Sequence, residues 1–149
     1  MAHRKAGPVL ANIFLGKIKS WNDPAIAKLN PDMKLPELPI QVLHRNEGKG
    51  SNYILSDYLA KVSPEFLATA GRSESPKWPM GQGFRRSQDL VAKLRGTPGA
   101  IGYTESARDI LAGSGDFGGW DAPIPETLLR AADRPILELP TVLIGIVII

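Results

Sequence analysis

Residues 38–62 read "LPIQVLHRNEGKGSNYILSDYLAKV", and this stretch decides what kind of chain the rest must be. Ile40, Val42 and Leu43 make 38–45 a strand, and from Ser51 the residues Tyr53, Ile54, Tyr58, Leu59 and Val62 recur at helical spacing. Between them "RNEGKGS" (45–51) must carry a strand into a helix. The first N–H groups of a helix have no partners inside it, and the helix dipole adds partial positive charge at that end. Such an opening is suited to an anion. Gly48 and Gly50 permit backbone geometries closed to other residues and let a ligand approach the main chain. Ser51 can donate a hydroxyl, Arg45 can offer a two-pronged contact to phosphate or sulfate, and Glu47 can steady that guanidinium. Lys49 adds a flexible cation, facing either an anion or water. A plain glycine turn fits the same spacing. A P-loop does not, because no glycine precedes Gly48 at the required distance.

The flanking sequence alternates helix and strand signals, which predicts an α/β layered domain. Gly7-Pro8 opens a short amphipathic helix that Gly16 ends, with His3 before it in a loose terminus. Asn22 or Asp23 caps a second helix with Pro24 in its first turn. Ser63-Pro64-Glu65 starts another that Gly71 closes, and "KWPMGQGFRR" (77–86) reads as a glycine-rich loop. Ser87 is placed to cap "SQDLVAKLRG", "GAIGYTES" (99–106) is a short buried strand, and a short helix is expected near "ETLLRAA". The C-terminal "TVLIGIVII" (141–149) is too short to span a bilayer and better suits a strand buried on both faces.

Composition narrows the function. With 149 residues, 43% hydrophobic and 22% charged, one domain with a real core is expected, spanning 1–149. A net charge of +3 permits anionic partners, but aromatics at 7% and no basic run beyond Arg85-Arg86 argue against nucleic acid. The absence of cysteine rules out disulfides and thiolate chemistry, and His3 and His44 make no credible metal site, so no cofactor is expected. His44 reads as packed or solvent-facing beside Arg45, and Arg85 and Arg86 as a solvated pair or a positive rim. Asp109, Asp116, Asp121 and Glu126 scatter through loop-like sequence, and neither Ser51 nor Ser114 has an obvious base. Trp21, Trp78 and Trp120 are most economically core or cleft-edge aromatics.

Four blocks in order, "IFLGKIKSWNDPAIAKLNP", "LPIQVLHRNEGKGSNYILSDYLAKVSPEF", "KWPMGQG" and "TPGAIGYTES", give the chain a resemblance to the phosphate-binding proteins of bacterial ABC transporters. The resemblance covers about residues 7–107 and leaves 112–149 unassigned. It implies a three-layer periplasmic-binding-protein lobe with a mainly parallel mixed sheet flanked by helices. It further implies phosphate binding by Arg45, Lys49, Gly50 and Ser51, with the amides of 49–51 facing the anion, Lys49 standing where the family carries serine, and Glu47, the acidic partner of Arg45, and Gly48 behind them. Phe84 and Arg86 stand where the family tends to have glycine. Family members close two lobes around phosphate and signal a permease; this chain resembles the second lobe alone. Location outside the cytoplasm follows from the resemblance, since the start shows no signal-peptide pattern. The expected ligand is inorganic phosphate or sulfate, held without catalysis. A structural module that self-associates through the face a first lobe would cover is the alternative, and a phosphoesterase lacks a metal site or nucleophile.

Overall fold

The computed structural model describes residues 2–31, 34–105, 136–138 and 144–148. In chain order the elements are α1 (Ala2–Phe14), α2 (Pro24–Leu29), β1 (Gln41–Arg45), α3 (Gly50–Val62), α4 (Pro64–Thr69), β2 (Gln82–Phe84), α5 (Ser87–Arg95), β3 (Ala100–Glu105), β4 (Ile136–Glu138) and β5 (Ile144–Ile148). The strands form one mixed sheet in the order β2-β1-β3-β5-β4. β1 runs parallel to both neighbours, with Arg45 opposite Phe84 and Gln41 opposite Ala100. Parallel strands need a crossover rather than a hairpin. Here α3 and α4 carry the chain from β1 to β2, and α5 carries it from β2 to β3. β5 is antiparallel to both β3 and β4, which makes Ile144–Ile148 an inner strand of the sheet, a place that suits β-branched residues.

Side chains alternate across a strand, so each strand serves two layers. Val42, Ile101 and Tyr103 join Leu10, Ile13 and Phe14 of α1, Ile26 of α2, Leu55 and Leu59 of α3 and Phe66 of α4 in one buried cluster. Leu43 and Gly102 face the other way. A Cβ at Gly102 would stand 2.9 Å from Leu90 Cδ2 and 3.4 Å from Leu94 Cδ1, which places α5 against that second face. Helices, sheet and helix therefore stack in three layers, as the family resemblance implied.

Several local readings need correction. α1 begins at Ala2 rather than at Gly7-Pro8 and includes both Pro8 and the backbone of His3. Its buried face of Leu10, Ala11, Ile13 and Phe14 anchors the helix, and extension from an anchored turn is easier than nucleation. The glycine-rich segment is not wholly loop, because Gln82–Phe84 add a strand along the free edge of β1. Close approach explains the glycine there: a Cβ at Gly83 would meet Asn46 Oδ1 at 2.3 Å. Ser87 is the first residue of α5 rather than its cap, which is Arg86. Trp21 is fully buried, while Trp78 is half-buried among Phe14, His44, Phe66 and Tyr103, its ring 5.5 Å from that of His44. The expected helix near "ETLLRAA", Trp120, Ser114 and the acidic residues from Asp109 to Glu126 lie outside the described residues.

Candidate functional site

Ligands of open α/β sheets bind beyond the carboxyl ends of the parallel strands. Here β1 ends at Arg45 and turns into α3 through Asn46–Lys49. Gly48 makes the turn with φ +72°, a left-handed conformation that glycine adopts without strain. The N–H groups of Gly48 and Lys49 donate to Glu74 O at 3.0 and 3.2 Å, and Gly48 N–H lies 3.0 Å from Ser75 Oγ. The Lys49 amide, expected to face an anion, is therefore engaged by the protein. Among the described hydrogen bonds none uses the N–H of Gly50 or Ser51. A Cβ at Gly50 would meet nothing within 4 Å, so the main chain is open to approach there.

The helix starts fall into two kinds. Asp23 caps α2, its carboxylate accepting from Ala25 N–H at 2.8 Å, and Ser63 caps α4, its hydroxyl accepting from Phe66 N–H at 3.1 Å. The helices that follow β1 and β2 have no side-chain cap, and the capping positions hold Lys49 and Arg86. A cation at a helix N-terminus has the wrong sign for the dipole. Arg45 adds to the imbalance. It is only 4% exposed, and its guanidinium lies against the start of α5, with Nη1 donating to Ser87 Oγ at 2.6 Å and Nη2 to Arg85 O at 3.1 Å. Glu47, expected to steady that guanidinium, is exposed and is not among its described partners. Ser51 is 0% exposed, and its Oγ has no hydrogen-bond partner among the described residues. A buried hydroxyl left unpaired costs about 1–3 kcal/mol, a cost that a water or an anion accepting from it would offset.

Two side chains that sequence reasoning passed over hold this turn in shape. Asn52, fully buried in the first turn of α3, donates Nδ2 to Asn46 O at 2.7 Å and to Glu74 O at 3.1 Å. Its Oδ1 accepts from the Tyr103 hydroxyl, which in turn accepts from Arg45 N–H at 2.9 Å. Burial pushes the Tyr103 phenol far above its ordinary range, so the hydroxyl keeps its proton and can donate. Of the two readings for His44, packed or solvent-facing, the structure takes the first: it stacks on Trp78 and its Nδ1 is 3.2 Å from Arg45 O. Its pKa is lowered by burial, against a smaller opposing effect of that backbone contact. Arg85 and Arg86 are exposed, and Arg86 Nε lies 3.6 Å from Asp89 Oδ2. Among the described residues no His, Cys, Asp and Glu cluster could hold a metal, and no helix is long and apolar enough to cross a membrane.

Residues 5–114 match the profile of a PBP superfamily domain. The chain is also 49% identical over 102 residues to the phosphate-binding protein PstS of Pasteurella multocida, an alignment covering 68% of this chain and 30% of that protein. It is 38% identical over 137 residues to PstS of Xylella fastidiosa, covering 88% of this chain and 38% of the relative. A PstS of Methanocaldococcus jannaschii is 38% identical over 104 residues, or 65% of this chain and 27% of its own length. The chain belongs to the PBP superfamily, with a sheet and flanking helices of that α/β kind. It is similar to phosphate-binding proteins and spans 30% to 38% of the length of the first two.

Proposed function

We propose that this chain is a non-catalytic phosphate-binding lobe, the substrate-binding part of a phosphate ABC transporter or a fragment of one. The anion sits at the start of α3. The N–H groups of Gly50 and Ser51 and the Ser51 hydroxyl donate to it, Arg45 supplies buried positive charge, and Lys49 draws anions to the mouth. The observation that carries this reading is the buried, unpaired Ser51 Oγ at a helix start with no cap. The similarity to phosphate-binding PstS proteins supports it over sulfate. Glu47 and Gly48 shape the turn and touch no ligand. A permease partner and a place outside the cytoplasm belong to the same reading.

Charge-assisted hydrogen bonds contribute about 1.5–3 kcal/mol each. Three or four of them, two from the buried Ser51 and Arg45 side chains, offset by desolvation, lost freedom and the opening needed to reach those groups, leave about −4 kcal/mol, a dissociation constant near 1 mM. In a phosphate titration followed by amide shifts, the Gly50 and Ser51 signals should move and saturate in the millimolar range. Signals unmoved at tens of millimolar overturn the assignment. An anion-indifferent oligomer in sedimentation would favour the self-associating module instead.

Ser51→Ala separates stability from function. Removing an unpaired buried hydroxyl should leave the melting temperature unchanged or raised, because no hydrogen bond is lost. Phosphate affinity should fall about tenfold, through loss of one donor. Parallel thermal melts and titrations check both signs, and a destabilised variant with unchanged affinity would count against the site.

A further inference from the structure

We propose that Asn52 and Tyr103 are positioning residues of the anion seat: they touch no ligand but set the direction of the amides that do. The inference rests on the phosphate reading above.

The seat is built from groups that have no fixed direction of their own. Gly48 and Gly50 leave the turn free to take many shapes, and a floppy turn would scatter the N–H groups an anion needs aligned. Asn52 and Tyr103 remove that freedom. The Tyr103 hydroxyl comes from β3, 51 residues away from Asn52 in sequence. It joins the last N–H of β1 to the first turn of α3, accepting from Arg45 and donating to Asn52 Oδ1. Asn52 Nδ2 then donates to the carbonyls of Asn46, in the turn, and Glu74, in the connection between α4 and β2. Glu74 O also receives the Gly48 and Lys49 amides, so three donors meet at one acceptor. With the 48 and 49 amides turned to Glu74, those of 50 and 51 are left for a ligand. Both side chains are fully buried, where every polar atom needs a partner, and the partners they take are the backbone of the turn and each other. Tyr103→Phe removes one oxygen, leaves the ring in the core, and deprives both the Arg45 N–H and Asn52 Oδ1 of their shared partner.

The test is the amide-detected phosphate titration on the full chain, with Tyr103→Phe, Asn52→Ser and the double variant. Each single variant should raise the half-saturation concentration about tenfold. The double variant should be no weaker than the weaker single, since one chain of bonds is cut twice. Leu90→Ala, on the α5 face, serves as the control: it should lower the melting temperature and leave the affinity of the folded protein alone. A folded Tyr103→Phe protein with wild-type half-saturation overturns the positioning role while leaving the phosphate reading intact. A wild-type chain that does not respond to phosphate overturns both. Should the variants fail to fold, hydrogen exchange on the wild type decides. Phosphate should slow exchange at Arg45, Gly48 and Lys49 together with Gly50 and Ser51, and slowing confined to 50 and 51 overturns the proposal.

Discussion

Arg45→Ala is expected to weaken phosphate binding roughly ten- to hundredfold, the equivalent of one charge-assisted contact. At a starting affinity near 1 mM that moves half-saturation to about 10–100 mM. The size of the effect comes from where the charge sits. At 4% exposure the guanidinium is shielded from water, so its field on a nearby anion is far less screened than that of Lys49 at the mouth. Its geometry matters as much as its charge, because the fork reaches Ser87 Oγ and Arg85 O together and so fixes the start of α5 beside the end of β1. Arg45→Lys keeps the charge but cannot make both contacts. It should therefore bind phosphate with intermediate affinity and with a stronger dependence on salt. Circular dichroism establishes that each variant is folded. A folded Arg45→Ala protein that saturates within twofold of the wild-type concentration would show that the helix start alone holds the anion.

Trp21→Ala is expected to give the largest loss of stability, about 3–5 kcal/mol. Trp21 is fully buried, and its indole N–H donates to Gly99 O at 2.9 Å. That bond ties the segment between α1 and α2 to the residue before β3, and Trp21 N–H adds a bond to Leu38 O at 3.0 Å. Truncation empties the space of an indole and leaves the Gly99 carbonyl with Gln41 N–H, at 3.1 Å, as its one remaining described donor. Domains of this size are stable by only about 5–15 kcal/mol, so the variant sits close to the threshold of folding. Urea denaturation should show the midpoint falling sharply at unchanged slope. Trp21→Phe should recover most of the packing but not the Gly99 bond, and fall between the two. A loss under about 1 kcal/mol for the alanine variant would mean that neighbouring side chains refill the cavity.

Local chemistry made much of this architecture legible. Pro24 after Asp23, and Pro64 after Ser63, set two helix starts that fold as read. The strand read at 38–45 from its apolar residues forms over Gln41–Arg45, and the helix read from Ser51 by its helical spacing begins at Gly50. The readings that failed depended on partners far away in sequence. Gln82–Phe84 look like loop because a three-residue strand has no period to detect; the free edge of β1 makes them a strand. Ser87 looks like a cap until Arg45, 42 residues earlier, takes its oxygen. Asn52 carries no signal at all, since a polar residue in a first helical turn is ordinary. Its importance comes from Tyr103, which the sequence offers only as one more aromatic in a buried strand. The basic and hydroxyl residues of the proposed seat could be named as candidates from their order and the family resemblance. The bonds that aim them could not.

The Glu74 carbonyl has a consequence for how this site can change over generations. Three donors converge on an atom that every amino acid possesses, while the Glu74 side chain stands exposed in solvent. Substitution at 74 therefore leaves the mooring untouched, whichever residue is introduced short of one that reroutes the backbone. Lengthening or shortening the 71–76 connection by one residue would drag that oxygen out of reach. The surface here can drift in letters but not in length, and related chains should differ at this position far more readily than they gain or lose residues around it.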